Sequence, residues 1–169
     1  MATATDTARL EVLERKMEAL EQEVQLLQDY EGVRECLARY SFTCDLGLSE
    51  EYVDNFTEDG VIDLDKRRWT GKEQLADFIH NPRGHKSIEG RCTHASTNYF
   101  IRVNGHTAWA EGYLLLFENE ADEFKVHACS YNHWDFEKQG DRWHIKYRYR
   151  RSVGGEEWGG KVIKSFVQA

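Results

Sequence analysis

Residues 97–117 read TNYFIRVNGHTAWAEGYLLLF. Two runs rich in aromatic and β-branched residues flank Asn104-Gly105, and an Asn-Gly pair readily adopts the two positive-φ positions of a type I′ hairpin turn. The stretch therefore predicts strands over 97–103 and 107–117. Further on, 124–136 and 143–151 have the same character, separated by the polar segment 118–123 and by Gln139-Gly140-Asp141. Four such strands in succession form an antiparallel meander, long enough to curl.

Upstream the pattern is helical. Leu10, Leu13, Met17, Leu20, Val24 and Leu27 recur at spacings of three and four, a heptad seam flanked by Lys16 and Glu21, which could pair between parallel helices. A second apolar set, Val33, Cys36, Leu37 and Tyr40, runs out of phase with it and carries helix to about Thr43, so a break is expected near Asp29–Gly32. Ser49 followed by Glu50 and Glu51 reads as an N-cap with acids in the first turn of a short helix through Phe56. Asp59-Gly60 reads as a turn and Val61 to Leu64 as a short strand. Thr70-Gly71-Lys72-Glu73 has the capping-box form and starts a helix ending near His80, before Asn81-Pro82. Helices first and a curled antiparallel sheet second predict an α+β fold with the helices on the concave face of the sheet. The organisation expected is a heptad helix over 1–28, an α+β domain over 29–155 and a tail over 156–169.

The 169 residues suffice for one domain with a proper core, and 40% hydrophobic with 31% charged residues is ordinary soluble composition. No apolar run approaches the length of a membrane span, and the first twenty residues lack a signal-peptide core, so a cytoplasmic location is expected. A net charge of −8 argues against nucleic acid as a partner. Arg148, Arg150 and Arg151 form the one basic cluster, read as ion pairs and a solvated face. The four cysteines show no metal-ligand spacing and read as reduced packing residues.

Tyr40 and Asp45 near the end of one helix, with His94 at the opening of the strand region, form the candidate active site. A carboxylate can fix a histidine's tautomer and leave the other ring nitrogen to take a proton. A nearby phenol can donate to an oxygen that gains charge. Alternation places Ser96 and Asn98 on the face of His94, a polar face where a core face should be apolar. Asn98 is a candidate substrate contact, and Tyr52, Trp69 and Tyr113 are candidate pocket walls. His80 and His85 read as solvated loop residues. No metal site and no cofactor are expected, because His127 and His133 lack a third ligand.

The order of several pieces resembles the SnoaL-like branch of the nuclear transport factor 2-like cone fold. They are Val33 through Tyr40, Asp45, Tyr52 through Val61, Trp69 through Leu75, Thr93-His94 with Asn98, Val103 through Ala108, and Gly140 through Ile145. The resemblance implies a cone-shaped curved sheet. Tyr40, Asp45 and His94 are similar to the set found in scytalone dehydratase, bile-acid dehydratase and hexachlorocyclohexane dehydrochlorinase, where an aspartate–histidine dyad removes a proton. No second histidine lies on the strand 107–117, as scytalone dehydratase would have. Arg148 matches an arginine of the family's last strand and is a candidate substrate contact at an oxyanion, with a structural ion pair the favoured reading. The resemblance implies a cofactor-independent dehydratase-like lyase or isomerase acting on a small, cyclic, largely apolar hydroxy-carbonyl compound, in a homo-oligomer, a dimer or trimer. The alternatives are a non-catalytic small subunit of a ring-hydroxylating dioxygenase, or a SnoaL-like protein that binds a ligand without chemistry.

Overall fold

The computed structural model describes residues 4–82 and 84–155; the expected C-terminal tail lies outside them. A single helix, α1 (Ala4–Asp45), opens the fold and is followed by a short α2 (Ser49–Asp54). Then come β1 (Phe56–Leu64), β2 (Arg67–Thr70), α3 (Gly71–His80) and five strands: β3 (Cys92–Ser96), β4 (Phe100–Asn104), β5 (Thr107–Glu120), β6 (Glu123–Gln139) and β7 (Arg142–Ser152). The sheet runs β2-β1-β7-β6-β5-β3, with β4 also paired to β5. Among the described residues only β1 and β7 pair in parallel. The fold is thus the expected α+β type, with helices against an open, curved sheet. No described helix is long and apolar enough to cross a membrane.

The expected break at Asp29–Gly32 is absent, and α1 runs through it. Gly32 serves instead as a notch: a Cβ there would lie 2.7 Å from Cδ1 of Trp143, so the missing side chain lets the indole pack on the helix. The change of apolar phase is real, but it marks a change of face on one continuous helix. The helix stops at Gly47, whose φ of +66° suits a residue without Cβ. Leu46 N–H donates to Phe42 O and Leu48 N–H to Thr43 O, closing the last turn and leaving Asp45 at the end of α1.

Three smaller readings change as well. Ser49 is the first residue of α2, and Leu48 holds the N-cap position. At α3, Thr70 caps by position without a side-chain bond, and Gln74 Oε1 accepts the Thr70 N–H at 3.0 Å, the role expected of Glu73. Asp59-Gly60 is absorbed into β1, where the register against β7 slips between Phe56 and Val61. The Asn104-Gly105 hairpin joins β4 to β5 with Asn104 opposite Thr107, as expected.

Bulges shape the site. Phe136 pairs with Ile145 and Asp135 with Tyr147, so Lys146 is the extra residue in β7. Strict alternation from the buried Trp143 and Ile145 would turn Arg148 outward. The bulge restores it to the inner face, where it is 3% exposed. The core lies between α1, α3 and the sheet, with Tyr40, Phe56, Trp134 and Phe136 fully buried. Each such side chain contributes roughly 1.5–3 kcal/mol.

Candidate active site

At the end of α1, the Asp45 carboxylate meets the start of β3. Its Oδ1 lies 2.5 Å from His94 Nδ1, and the backbone N–H of His94 donates to Oδ2 at 3.0 Å. The Cys92 thiol also donates to Oδ1, at 3.6 Å. Three donors converge on one carboxylate and fix the imidazole with its proton on Nδ1, leaving Nε2 as the basic nitrogen. Burial pushes the His94 pKa down, outweighing the opposing pull of Asp45, so the ring is neutral near pH 7. Burial and the Asp45 carboxylate push the Cys92 thiol up to about 12, so it is a donor and not a nucleophile.

His94 lines a cavity of about 710 Å³ between α3, the following loop and the inner face of the sheet. Trp69, Phe78, Ile88, Leu114 and Leu116 form apolar wall; His85, Ser130, Arg148 and Arg150 supply polar groups. The Arg148 guanidinium donates to Asn132 Oδ1 through Nε at 3.1 Å and Nη2 at 2.9 Å, and to the Tyr40 hydroxyl through Nη1. It sits against the Tyr40 and Trp134 rings, 5.0 and 4.7 Å from their centroids. All of these partners are neutral. The expected ion pair of Arg148 is absent among the described residues; Arg150 and Arg151 do pair, with Asp65 and Asp63.

The candidate residues therefore divide. Asp45 and His94 are brought together, and His94, Trp69 and Arg148 line the cavity. Tyr40 stands behind Arg148, 1% exposed, with burial pushing its phenol pKa up. It does not line the cavity itself, and meets it through the arginine and the edge of the His94 ring, 6.2 Å away between centroids. Tyr52 is fully buried beneath it, with ring centroids 5.3 Å apart. Tyr113 lies on the outer face of β5 against Tyr131, because Leu114 and Leu116 take the inner positions. Asn98 falls beyond the end of β3 and is exposed, its Oδ1 accepting from Thr97.

Residues outside the expected set complete the site. His85, expected to be solvated, is 2% exposed and stacks on His94 at 5.7 Å. The loop after α3 folds it inward: His85 N–H donates to Phe78 O, and Ile88 N–H to His85 O. Burial, with His94 adding to it, lowers its pKa to about 4. Ser130 and Asn132 lie on the inner face of β6; the alternation with Trp134 and Phe136 was a signal that could have found them. Cys44, His85 and His94, or Asp45, Cys92 and His94, have ligand atoms close enough to hold a metal ion, although both thiols would first have to lose protons that burial favours. His127 and His133 instead contact carboxylates, Glu118 for the first, Glu111 and Asp135 for the second.

The model of the SnoaL-like domain matches residues 25–149. The chain belongs to the SnoaL-like family. A search of curated proteins found no match. Among solved structures, this SnoaL-like chain is similar to a nuclear transport factor 2-like protein with a cystatin-like fold from Novosphingobium aromaticivorans. Identity is 26%, with 82% of this chain and 90% of that one covered, at a TM-score of 0.76. A Mycobacterium tuberculosis protein of unknown function has 22% identity, coverage of 85% and 82%, and a TM-score of 0.69. A candidate scytalone dehydratase from N. aromaticivorans has 18% identity, coverage of 75% and 85%, and a TM-score of 0.62, a likeness of fold.

Proposed function

We propose that this protein is a cofactor-independent lyase of the dehydratase type, or an isomerase using the same parts, acting on a cyclic and largely apolar hydroxy-carbonyl compound. One observation carries the reading: the His94 imidazole, held by Asp45, lines the same cavity as the buried Arg148 guanidinium. His94 Nε2 takes the proton beside the carbonyl, and Asp45 stabilises the imidazolium that forms. Arg148, steadied by Asn132 and Tyr40, faces the enolate oxygen as it gains charge. In dehydration the enolate expels the β-hydroxyl, which takes the proton from His94 and leaves as water. In isomerisation the same proton goes to the far carbon. Either way His94 ends neutral. His85, neutral beside it, adds no further positive charge to a pocket that already holds Arg148 and Arg150.

The test is a panel of cyclic β-hydroxy-ketones incubated with the protein in heavy water and followed by NMR. Deuterium entry beside the carbonyl, or loss of water, that disappears in His94→Ala and Asp45→Asn supports the reading. Near-wild-type turnover in both variants sinks it, as would copurification with a larger iron-containing subunit and no turnover at all.

A further inference from the structure

The first half of α1 has no work in the cone. Residues 6–28 are exposed along their whole length, a rod of roughly 35 Å at 1.5 Å per residue. Leu10, Leu13, Met17, Leu20, Val24 and Leu27 are between 49% and 61% exposed. In heptad terms Leu10, Met17 and Val24 fall at a, and Leu13, Leu20 and Leu27 at d. Six large apolar side chains in one unbroken seam are costly to leave in water.

The described residues of the cone do not cover them. At about 100° per residue, the seam and the stripe that docks on the sheet (Asp29, Val33, Cys36, Tyr40, Cys44) lie about 180° apart on the same helix. The rod is rigid with the domain, because no break separates the two stripes. A partner seated on the seam therefore meets no obstacle from the cone beside it.

We propose that residues 10–27 form half of a parallel two-stranded coiled coil whose other half is a second copy of this chain. Charge selects the orientation. The g positions Arg9 and Lys16 face the e positions Glu14 and Glu21 of the other helix in a parallel pair, giving Arg9–Glu14 and Lys16–Glu21 contacts across the seam. An antiparallel pair would bring e against e, setting Glu14 and Glu21 of both copies together. The length is also bounded. The next a and d positions are Glu31 and Arg34, so the seam ends where the cone begins, and like charges would oppose each other if it continued. In the dimer the two cones hang on the outer sides of a common rod, each with its own cavity.

The test is sedimentation velocity on the full chain from about 1 to 100 µM. A dimer is expected. The double variant Leu13→Glu/Leu20→Glu should raise the dissociation constant by at least about a hundredfold, since each buried carboxylate would lack a partner, while near-ultraviolet circular dichroism of the cone stays unchanged. Lys16→Glu should weaken the dimer and Lys16→Glu/Glu21→Lys restore it. For orientation, Leu13→Cys should give a disulfide-linked dimer under mild oxidation; an antiparallel pair would set residue 13 beside residue 24, on the order of 16 Å away. A wild-type monomer at 100 µM, a trimer, a dimer that survives Leu13→Glu/Leu20→Glu, or a dimer in which Leu13→Cys does not cross-link would each overturn the proposal.

Discussion

Two buried charges lie along the inner face of the sheet, and the fold treats them oppositely. Asp29, where α1 first meets the sheet, accepts from Lys138 Nζ at 2.6 Å, Trp143 Nε1 at 3.2 Å and Gln25 at 3.3 Å. Burial alone would raise its pKa, but these donors hold it below the usual carboxylate range. Arg148, about as deeply buried, receives only the neutral oxygens of Asn132 and Tyr40. A desolvated charge with a charged partner fastens a fold; one left with neutral partners beside a cavity costs stability and keeps its field for whatever enters. The difference separates an anchor from a site without reference to any relative.

The largest expected effect is at the dyad. Asp45→Asn and His94→Ala should each lower kcat by about 10²–10⁴-fold on a substrate found by the exchange screen, the range for a positioned general base. Next, Arg148→Met should lower kcat by about 10²-fold while leaving the thermal midpoint equal or higher, because a buried charge without a counter-ion has gone. A midpoint that drops steeply would make Arg148 an anchor like Asp29, and the contrast would collapse.

Asp29→Asn should do the reverse. Leaving Lys138 without its carboxylate should cost about 2–4 kcal/mol, read as a lowered urea midpoint with unchanged slope, while turnover per folded molecule stays at the wild-type level. Lost turnover in a fully folded Asp29→Asn protein would break the comparison from the other side.

What the sequence disclosed follows the range of the interactions involved. Asn104-Gly105 fixes its own hairpin, so the meander was legible. Asp59-Gly60 carries the same local signal, yet β1 pairs in parallel with β7, about ninety positions away, and that distant pairing turns a turn motif into a bulge. β2 was missed because its hairpin with β1 turns on Asp65-Lys66, where Asp65 takes a φ of +48° with no glycine to signal it. β3 was not separated from the strand after it because it pairs with β5, beyond β4. Asp45 and His94 were legible because a helix end and a strand start carry them. Arg148 was named as a candidate contact, but the ion pair favoured for it is absent among the described residues, since an extra residue at Lys146 turns it inward and period-two counting cannot see that. His85 was misread because only the fold-back of its loop buries it. Tyr113 shows the converse: the identity suggested a pocket, and the parity of β5 put it outside.

The smallest effect compares the two faces of the sheet through pH. On the cavity side, burial lowers the pKa of His85 from its ordinary 6.5 to about 4 and shifts His94 the same way, so both resist charging in the folded state. The unfolded chain binds more protons between those values, so the stability they contribute is complete above about pH 6.5 and is lost as pH falls toward 4. On the outer face His133 is raised: burial opposes its charge, but Asp135 and Glu111, at 3.0 and 2.9 Å, outweigh it. Its contribution has the opposite sign, present below pH 6.5 and lost as pH rises through its folded value. Urea midpoints between pH 4 and 8 should therefore fall on the acid side, by on the order of 1 kcal/mol for His85. The slope should be shallower in His85→Gln and steeper in His133→Gln. If both variants shift it the same way, burial does not distinguish the two faces. If His85→Gln leaves it untouched, that imidazole is solvated after all, and the closed wall of the cavity beside His94 must be redrawn.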